Sequence, residues 1–437
     1  MKRILFLAAV ALLVGVPVLL MVLSSPVTLQ VDPPVRVIGA ETPVQVRVES
    51  PHGVRRFTAA LEQNAARYPL HESSEPATRF WFVFKEEPAR TISFSAGKKR
   101  AQALRDGKAR LIIEAQANDL RGQTATLAID VEINTKPPRL VVDGAQHYIN
   151  QGGAELVTFT VSGYWTEAGV RVGPHAFRSF PLPGKSQDER FALFAFPWDV
   201  PAETVPHVFA RNPAGAEARA HFWHKVFPKR YRVRELELSD AFLELVVNQI
   251  DPTGAGDLLA RFLKINGEMR RANSQALADL RLKTEERVLW SGPFLQLGDS
   301  KVEAQFADTR TYLYKGKAVD RQTHLGFDLA VTQHVAVAAA NHGKVVFGGE
   351  LGIYGNCVVV DHGYGLQSMY AHLSEIAVKP GEAVKKGQAL GKSGSTGLAG
   401  GDHLHFSMQV DGVQVTPLEW WDEHWIKDRI LSKLGGG

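Results

Sequence analysis

Residues 393–406 read Ser-Gly-Ser-Thr-Gly-Leu-Ala-Gly-Gly-Asp-His-Leu-His-Phe, a glycine-rich stretch that leads into two histidines separated by one residue. Side chains two positions apart on a β-strand point to the same face, so His403 and His405 are predicted to lie side by side on a sheet. Two neighbouring imidazoles repel each other when both are protonated, and a bound metal ion is one reason to keep them together. The glycines would let backbone approach a substrate closely, although a plain hairpin turn explains them equally well.

Two further patterns place histidine and aspartate in the same third of the chain. One is His324-Leu-Gly-Phe-Asp328, and the other is Tyr370-Ala-His372-Leu. Each is weak alone, but together they supply the ligand types of a hydrolytic zinc site, which takes three protein ligands and leaves the fourth position for water. Bound zinc lowers the pKa of that water, and spare imidazoles are suited to proton transfer. The sequence contains no His-Glu-x-x-His motif, which excludes the common zincin helix.

The residues around these patterns predict a compact β domain. The stretches 343–347 and 356–361 are apolar and strand-like, and turn glycines punctuate residues 378–391. The Val-x-x-Gly and Gly-x-x-Leu rhythm also occurs in swinging-arm carrier domains that hold lipoyl or biotinyl groups. A carrier needs an exposed lysine at a hairpin tip with flanking recognition residues. The sequence offers no such hairpin and a carrier leaves the histidines unexplained, so a carrier is the weaker interpretation.

The stretch from about residue 322 to residue 420 closely resembles the lysostaphin/LytM-like zinc endopeptidases of bacterial cell walls. The matching pieces, in order, are His324-Leu-Gly-Phe-Asp328-Leu-Ala, Ala338-Ala-x-x-x-Gly343-Lys-Val, Tyr354-Gly-Asn356-x-Val358, His362-Gly363, Tyr370-Ala-His372-Leu-Ser374, Val384-Lys-Lys-Gly387-Gln388, Gly394-Ser-Thr-Gly397 and His403-Leu-His405-Phe406. The resemblance covers under a quarter of the chain and nearly all of the catalytic core of such enzymes.

The resemblance implies a fold and a division of roles. Residues 291–425 are expected to form an antiparallel β peptidase domain whose hybrid-motif sheet is related to lipoyl and biotinyl domains. One Zn²⁺ ion would be bound by His324, Asp328 and His405. His372 and His403 would be the catalytic imidazoles, with the division of labour between them left open. Asp402 either tunes the pKa of His403 or faces solvent.

The function that the resemblance implies is hydrolysis of peptide bonds in peptidoglycan, within stem peptides or cross-links, during cell-wall remodelling. The alternative is a non-catalytic wall-binding activator of another hydrolase, because some members of the family lack metal ligands. This sequence retains all five site positions, which favours an enzyme.

The N-terminus predicts a membrane anchor. Lys2 and Arg3 precede an uncharged apolar run over residues 4–23, about 20 residues long and thus sufficient to span a bilayer. Positive charge before the run places the start in the cytoplasm, so the remaining chain is expected on the periplasmic or extracytoplasmic side of a single-pass inner-membrane protein. A cleaved signal peptide is the rival interpretation for residues 1–24.

Two β modules are predicted between the anchor and the connector. Residues 27–136 and 137–228 contain short strands with period-two alternation and frequent turns, which favours two immunoglobulin-like sandwiches. Within the first, the dense apolar run Phe80–Phe84 is predicted to be a strand. Such modules are typical spacers or binding surfaces, so protein partners are expected here.

A small helical connector is predicted over residues 229–290, followed after the peptidase domain by a tail over residues 426–437. Ser239 is a candidate N-cap, and apolar residues recur at helical spacing beyond it. By its position the connector is a candidate inhibitor of the cleft, which predicts that deletion of Leu238–Arg287 raises activity.

The bulk composition constrains partners and redox chemistry. The 437 residues carry a net charge of +4 without a basic stripe interleaved with aromatic residues, so we expect no nucleic-acid partner. Cys357 is the single cysteine, which excludes an intrachain disulfide. It lies in an apolar run and is predicted to be a buried, inert thiol.

Overall fold

The computed structural model describes the backbone of residues 2–84 and 86–435, without the side chains of residues 2–12, 79 and 80. Helix α1 spans Lys2–Leu23 and includes Pro17. Among the described residues, none of the helices combines the length and the apolar character needed to cross a membrane. The side chains of residues 4–12 of the predicted anchor lie outside this description, and the anchor stays a prediction.

The chain divides into two compact units, residues 1–138 with 163–167 and 210–218, and the remaining residues. The first unit contains two sheets, ordered β1-β3-β6 and β2-β8-β7-β4-β5. Their strands are β1 Thr28–Val31, β2 Val37–Ile38, β3 Thr42–Glu49, β4 Val54–Gln63, β5 Ala66–Ser74, β6 Arg90–Ala96, β7 Gly107–Ala117 and β8 Thr124–Ile133. Val46 of β3, Phe57 of β4 and Ile113 of β7 belong to one buried apolar core that both sheets share.

The strand predicted for Phe80–Phe84 is wrong. Residues Arg79–Phe84 form a single 3-10 helical turn. Phe82 is buried and packs edge-on against His52 with 4.8 Å between ring centroids, whereas Trp81 and Phe84 are 74% and 80% exposed. A continuous aromatic run without alternation does not fix which side chain faces inward, and of the aromatic side chains described here, those of Trp81, Phe82 and Phe84, one is buried.

The segment after residue 138 forms a second set of strands. They are β9 Arg139–Val142, β10 His147–Asn150, β11 Ala154–Ser162, β12 Glu167–Val172, β13 His175–Arg178, β14 Phe180–Pro181, β15 Glu189–Ala195, β16 His207–Arg211, β17 Glu217–Ala220 and β18 His224–Phe227. One antiparallel sheet has the order β14-β15-β11-β9. Phe177 of β13 packs against Phe194 of β15 with 6.4 Å between ring centroids. The prediction of a mainly β chain is therefore confirmed.

The described part of the predicted C-terminal tail, residues 426–435, packs on strand β11. Helix α6 spans Glu423–Ile426 and continues as a π-helical turn through Leu431. Lys433 Nζ lies 2.7 Å from Glu155 Oε1 and donates a hydrogen bond to the Leu156 carbonyl, also at 2.7 Å. Just before it, in helix α5 (Leu418–Trp421), the carboxylate of Glu419 accepts hydrogen bonds from the Ala154 amide at 2.7 Å and from Asn150 Nδ2 at 2.8 Å.

Because the Glu419 carboxyl is buried in this contact, we expect the free energy of unfolding to depend on pH. Burial raises the pKa of Glu419 to about 7, reinforced by the charge of Glu155 and opposed by the hydrogen bonds from Asn150 and Ala154. The folded state therefore keeps a proton that the unfolded chain releases near pH 4.5, so stability is lost as pH rises from 4.5 to 7. Relative to wild type, Glu419→Gln should gain about 3 kcal/mol of unfolding free energy between pH 4.5 and pH 8. Thermal unfolding of both proteins across that range tests this, and a constant difference would contradict it.

The predicted helical connector begins with a strand. Strand β19 (Val233–Glu237) pairs in parallel with β21 (Asp308–Tyr314). The helices follow as α2 Asp240–Ile250, α3 Leu258–Lys264 and α4 Arg270–Asp279, with a π-helical turn at Ile265–Met269 and a 3-10 turn at Leu280–Leu282. As predicted, Ser239 caps α2: its Oγ accepts a hydrogen bond from the Phe242 amide at 3.1 Å.

The helices share one apolar core with two strands of the C-terminal region, β26 (Asn356–Gly363) and β27 (Leu366–Leu373). Leu243 and Val247 of α2 are buried in the same cluster as Tyr354, Val359 and Met369. Removing residues 238–287 would expose the apolar face of the sheet that the helices bury. The deletion therefore tests folding as well as occlusion of the cleft.

A point variant in α2 separates these effects. Leu243 is 1% exposed, so Leu243→Ala should lower the unfolding free energy by about 2–5 kcal/mol through lost burial and a cavity. Leu245 lies on the same helix and is 58% exposed, so Leu245→Ala should change stability by less than about 0.5 kcal/mol. Calorimetry of the two variants checks the difference, and equal unfolding temperatures would show that α2 does not cover the sheet.

The C-terminal region is built on one large antiparallel sheet ordered β20-β23-β31-β27-β26-β25-β29, with β32 pairing with β31. Its strands are β20 Lys301–Ala304, β23 Phe327–Ala330, β25 Gly343–Glu350, β26 Asn356–Gly363, β27 Leu366–Leu373, β29 Ala383–Val384, β31 His403–Val410 and β32 Val413–Val415. Outside it lie β22 Lys317–His324, paired with β21, and the small sheet formed by β24 Ala336–Ala338, β28 Glu375–Ile376 and β30 Ala389–Lys392. Strand β31 is buried along its whole length from Leu404 to Val410, polar side chains included.

Candidate metal centre

Three neighbouring strands bring the predicted ligands together. His324 is the last residue of β22, Asp328 lies on β23, and His405 lies on β31. Asp328 and His405 are directly opposite each other in the antiparallel register of β23 and β31. Because opposite residues of adjacent strands have nearby Cβ atoms, the register itself fixes this pair.

The donor atoms of these residues form a tight triangle. His324 Nε2 lies 2.9 Å from Asp328 Oδ1 and 2.9 Å from His405 Nδ1, and the latter two atoms are 3.0 Å apart. All three residues are at most 9% exposed. The corners of such a triangle lie about 1.7 Å from its centre, so a point about 2.0–2.1 Å from each donor exists, which is the distance that zinc takes to nitrogen and oxygen.

The chemistry of the donors also fits a cation. The other ring nitrogen of His324, Nδ1, is 3.1 Å from the Gln305 carbonyl oxygen, which can only accept a hydrogen bond. Nδ1 is therefore the protonated nitrogen of neutral His324, and its Nε2 lone pair faces the triangle. The His324 lone pair, the Asp328 carboxylate oxygen and the His405 nitrogen can all donate electron pairs. At this separation they repel one another unless a cation lies between them, so a divalent metal fits the site.

The pKa values place the donors in the state that ligation needs. Burial by itself would raise the pKa of Asp328, but the positive charge and the hydrogen bonds that the surrounding histidines supply when they are protonated, those of His324 first, hold that pKa well below its usual value. Burial lowers the pKa of His405 to about 4. At neutral pH the aspartate is therefore charged and His405 is neutral.

His372 and His403 lie next to this triangle, with 4.8 Å between their ring centroids. His372 Nδ1 is 2.8 Å from the Thr396 carbonyl, and His403 Nδ1 is 2.8 Å from the Gly401 carbonyl. Each backbone oxygen accepts the Nδ1 proton, so in both neutral rings Nε2 is the basic nitrogen. Burial and the charge of His403 hold the pKa of His372 well below its usual value, whereas Asp328 raises the pKa of His403 despite burial.

One of the glycines before β31, Gly397, packs closely against Gly355 of another loop. Gly355 has φ +58°, and a Cβ there would lie 2.4 Å from Thr396. A Cβ on Gly397 would lie 2.3 Å from the Gly355 amide nitrogen. The two loops therefore pack backbone against backbone, and this contact fixes the Thr396 carbonyl that orients His372.

The Asp402 side chain is only 8% exposed, so the prediction that it faces solvent is wrong, and its hydrogen bond is to His334 rather than to His403. Its Oδ2 accepts a hydrogen bond from the His334 amide at 3.1 Å. His334 Nδ1 in turn lies 3.1 Å from Ser374 Oγ. Asp402 and His334 thus brace the loop on which β31 begins.

Two residues near the site were given no role by the sequence motifs. Arg310 of β21 donates from Nη2 to Asp328 Oδ2 at 2.7 Å, and the Tyr354 ring packs against His405 with 5.6 Å between centroids. Arg310 lies before the stretch that resembles the endopeptidases. No sequence motif therefore assigned it to the site, and its role depends on the pairing of β21 with β22. Tyr354 belongs to the matching piece Tyr354-Gly-Asn356-x-Val358, but the resemblance implied no role for it.

The remaining predicted residues lie elsewhere. His362 is buried: its Nδ1 is 2.7 Å from the His342 carbonyl and its Nε2 is 2.7 Å from Ser368 Oγ, so it is bonded within the sheet. Cys357 is buried, as predicted, and burial raises the pKa of its thiol to about 12. A thiol of that pKa is no nucleophile at neutral pH.

The five histidine and aspartate residues open onto a cavity of about 640 Å³. Its walls come from the helical region, from β19 to β21, and from the loop that precedes β31, including Phe242, Arg270, Glu303, Leu398 and Gly400. This volume is adequate for several residues of an extended peptide. The site is thus accessible to a ligand, and the three residues of the donor triangle line the cavity.

Residues 322–417 match the profile of Peptidase family M23. The chain therefore carries an M23 peptidase domain at its C-terminal end, and the predicted resemblance is confirmed. The donor triangle and both neighbouring imidazoles lie inside the matched segment.

Named relatives agree with this domain. The chain is 39% identical over 95 residues to the DD-carboxypeptidase/endopeptidase Mpg of Neisseria meningitidis serogroup B, a match that covers 22% of each protein. It thus spans about a fifth of that relative's length. Among solved structures, the catalytic domain of lysostaphin from Staphylococcus simulans is 28% identical with a TM-score of 0.21, covering 32% of this chain and 94% of that domain. A zinc-containing peptidase from Vibrio cholerae is 15% identical with a TM-score of 0.28, covering 71% and 81%.

Proposed function

We propose that this protein is a zinc-dependent endopeptidase that hydrolyses peptide bonds of peptidoglycan, in stem peptides or cross-links. The observation that carries the proposal is the convergence of His324, Asp328 and His405 on one point, with His372 and His403 beside it, all five lining one cavity. A purely structural cluster would not need two further imidazoles on its open side.

His324, Asp328 and His405 would hold one Zn²⁺ ion. When bound, zinc supplies an acidified water and polarises a carbonyl. His372 is held through Nδ1 by the Thr396 carbonyl, so its Nε2 is set to accept a proton. His403 is held in the same way by the Gly401 carbonyl and lies close enough to transfer a proton or to steady a developing negative charge. The sequence left these two roles open, and both residues are assigned here only as the catalytic pair.

Peptidoglycan is proposed as the substrate because the M23 domain matches a relative named DD-carboxypeptidase/endopeptidase Mpg. The N-terminal run over residues 4–23 is proposed to hold the chain in the inner membrane, with the catalytic domain on the periplasmic side. The β modules are proposed to have immunoglobulin-like topology and to provide surfaces for protein partners. These assignments place the enzyme where its substrate lies.

The second candidate is a non-catalytic activator of another wall hydrolase. Digestion of purified sacculi separates the two. Zinc-loaded protein is expected to release new muropeptides by cutting peptide links, which chromatography and mass spectrometry identify by the bond lost. A chelator-treated sample is the control and should leave the sacculi intact. If the zinc-loaded protein binds sacculi and leaves every peptide bond uncut, the enzymatic proposal fails in favour of the activator.

A further inference from the structure

Asp328 is held from two sides. Its Oδ1 faces His324 at 2.9 Å and His405 at 3.0 Å, whereas its Oδ2 accepts a hydrogen bond from Arg310 Nη2 at 2.7 Å. The side chains of Arg310 and Asp328 are only 21% and 13% exposed, so this is a largely buried ion pair. One oxygen is therefore committed to the guanidinium and the other to the donor triangle.

The position of Arg310 follows from strand pairing. In the β21–β22 hairpin Arg310 is opposite Gln322, two residues before His324, and Asp308 is opposite His324 itself. On its other side β21 pairs with β19, where Arg310 is opposite Arg234. The hairpin thus delivers both the first histidine of the triangle and the guanidinium that contacts its aspartate, although Arg310 lies outside the matched segment 322–417.

A guanidinium at this place has two opposing effects on a bound cation. As a positive charge within a few ångströms it repels a divalent ion, so its loss would tighten metal binding. As a hydrogen-bond donor to Oδ2 it stops the carboxylate from rotating and leaves a single oxygen for the metal, so its loss would weaken binding. The buried, short and directed contact favours the second effect, because a group selected only for charge needs no such geometry.

We propose that Arg310 is a positioning residue that presents Asp328 to the metal through Oδ1 alone and so sets the geometry of the centre. This rests on the proposed function, since it presumes that the triangle binds zinc. The contact acts through Asp328, so Arg310 need not touch substrate. It also connects the sheet β19-β21-β22 to the centre, because Arg310 lies on β21, the middle strand of that sheet.

The experiment compares zinc affinity in the full-length wild type and in Arg310→Met, Arg310→Lys and Arg234→Met, by competition with a chromogenic chelator. Arg310→Met should bind zinc roughly 10- to 100-fold more weakly, the usual effect of losing an outer-shell partner. Arg310→Lys keeps the charge but has a shorter chain and no planar fork, and should show an intermediate loss. Arg234 is an exposed cation that lines the same cavity, and its Nη1 donates a hydrogen bond to the Glu303 carbonyl. Arg234→Met removes this charge and should bind zinc with wild-type affinity.

A second readout is the visible spectrum of the cobalt(II)-substituted proteins. Cobalt absorbs most strongly when four-coordinate, so freeing Oδ2 to bind as a second donor should weaken the bands of Arg310→Met. Equal or tighter zinc binding by Arg310→Met, or wild-type affinity in Arg310→Lys, would overturn the proposal. Should Arg310→Met fail to fold by circular dichroism, Arg310→Lys decides alone. A wild type that binds no zinc would instead defeat the proposed function.

Discussion

Replacement of Asp328 or His405 by alanine is expected to abolish both zinc binding and hydrolysis of peptidoglycan. Each residue supplies one corner of the donor triangle, with contacts of 2.9–3.0 Å to its neighbours. Loss of one ligand from a three-ligand site leaves two donors and an open coordination sphere. The cost should exceed the roughly 100-fold that removal of an outer-shell partner can reach.

The measurement is metal content after dialysis, paired with release of muropeptides from sacculi. Wild type should retain one zinc ion for each chain and the two variants almost none. His424→Ala is the control, because His424 is an exposed histidine on α6 of the same region. Asp328→Asn adds a variant of nearly equal shape that removes only the charge. Retention of stoichiometric zinc by both alanine variants would show that the triangle is not the metal site.

The parts of the site that the sequence predicted are those carried by local pattern. The His-x-His spacing on β31 places two imidazoles on one face because side chains alternate along a strand. The sequence offered no comparable rule for the partner of Asp328. Arg310 reaches it only because β21 folds back on β22, and the hydrogen bond that results joins two residues 18 positions apart in the chain.

The same limit applies to the helical region. Apolar spacing and the Ser239 cap predicted α2 correctly, but not what its buried face covers. Strand β19 was missed because Val233–Glu237 is mostly charged and exposed, and it forms by parallel pairing with β21. Backbone pairing of this kind leaves little trace in hydrophobic periodicity. At Phe80–Phe84 the opposite error arose, since a run rich in aromatic residues formed a turn with two of them exposed.

His403→Ala is expected to keep zinc and lose most turnover. His403 Nε2 lies 3.5 Å from Asp328 Oδ1, farther than the contacts within the donor triangle, and its ring packs beside His372 at 4.8 Å. It therefore borders the triangle without completing it. A residue that transfers a proton or stabilises charge in the transition state contributes about 10²- to 10⁴-fold, so kcat should fall by that factor.

The decisive comparison is between His403→Ala and His405→Ala, two changes of the same chemistry two residues apart on one strand. If the division of roles is right, both lose activity but only His405→Ala loses metal, because Nδ1 of His405 is a corner of the triangle and His403 is not. His372→Ala should behave like His403→Ala, since its Nδ1 is engaged by the Thr396 carbonyl and its ring lies 5.8 Å from that of His405. Loss of zinc from His403→Ala would make His403 a ligand, and the proton carrier would then have to be His372 alone.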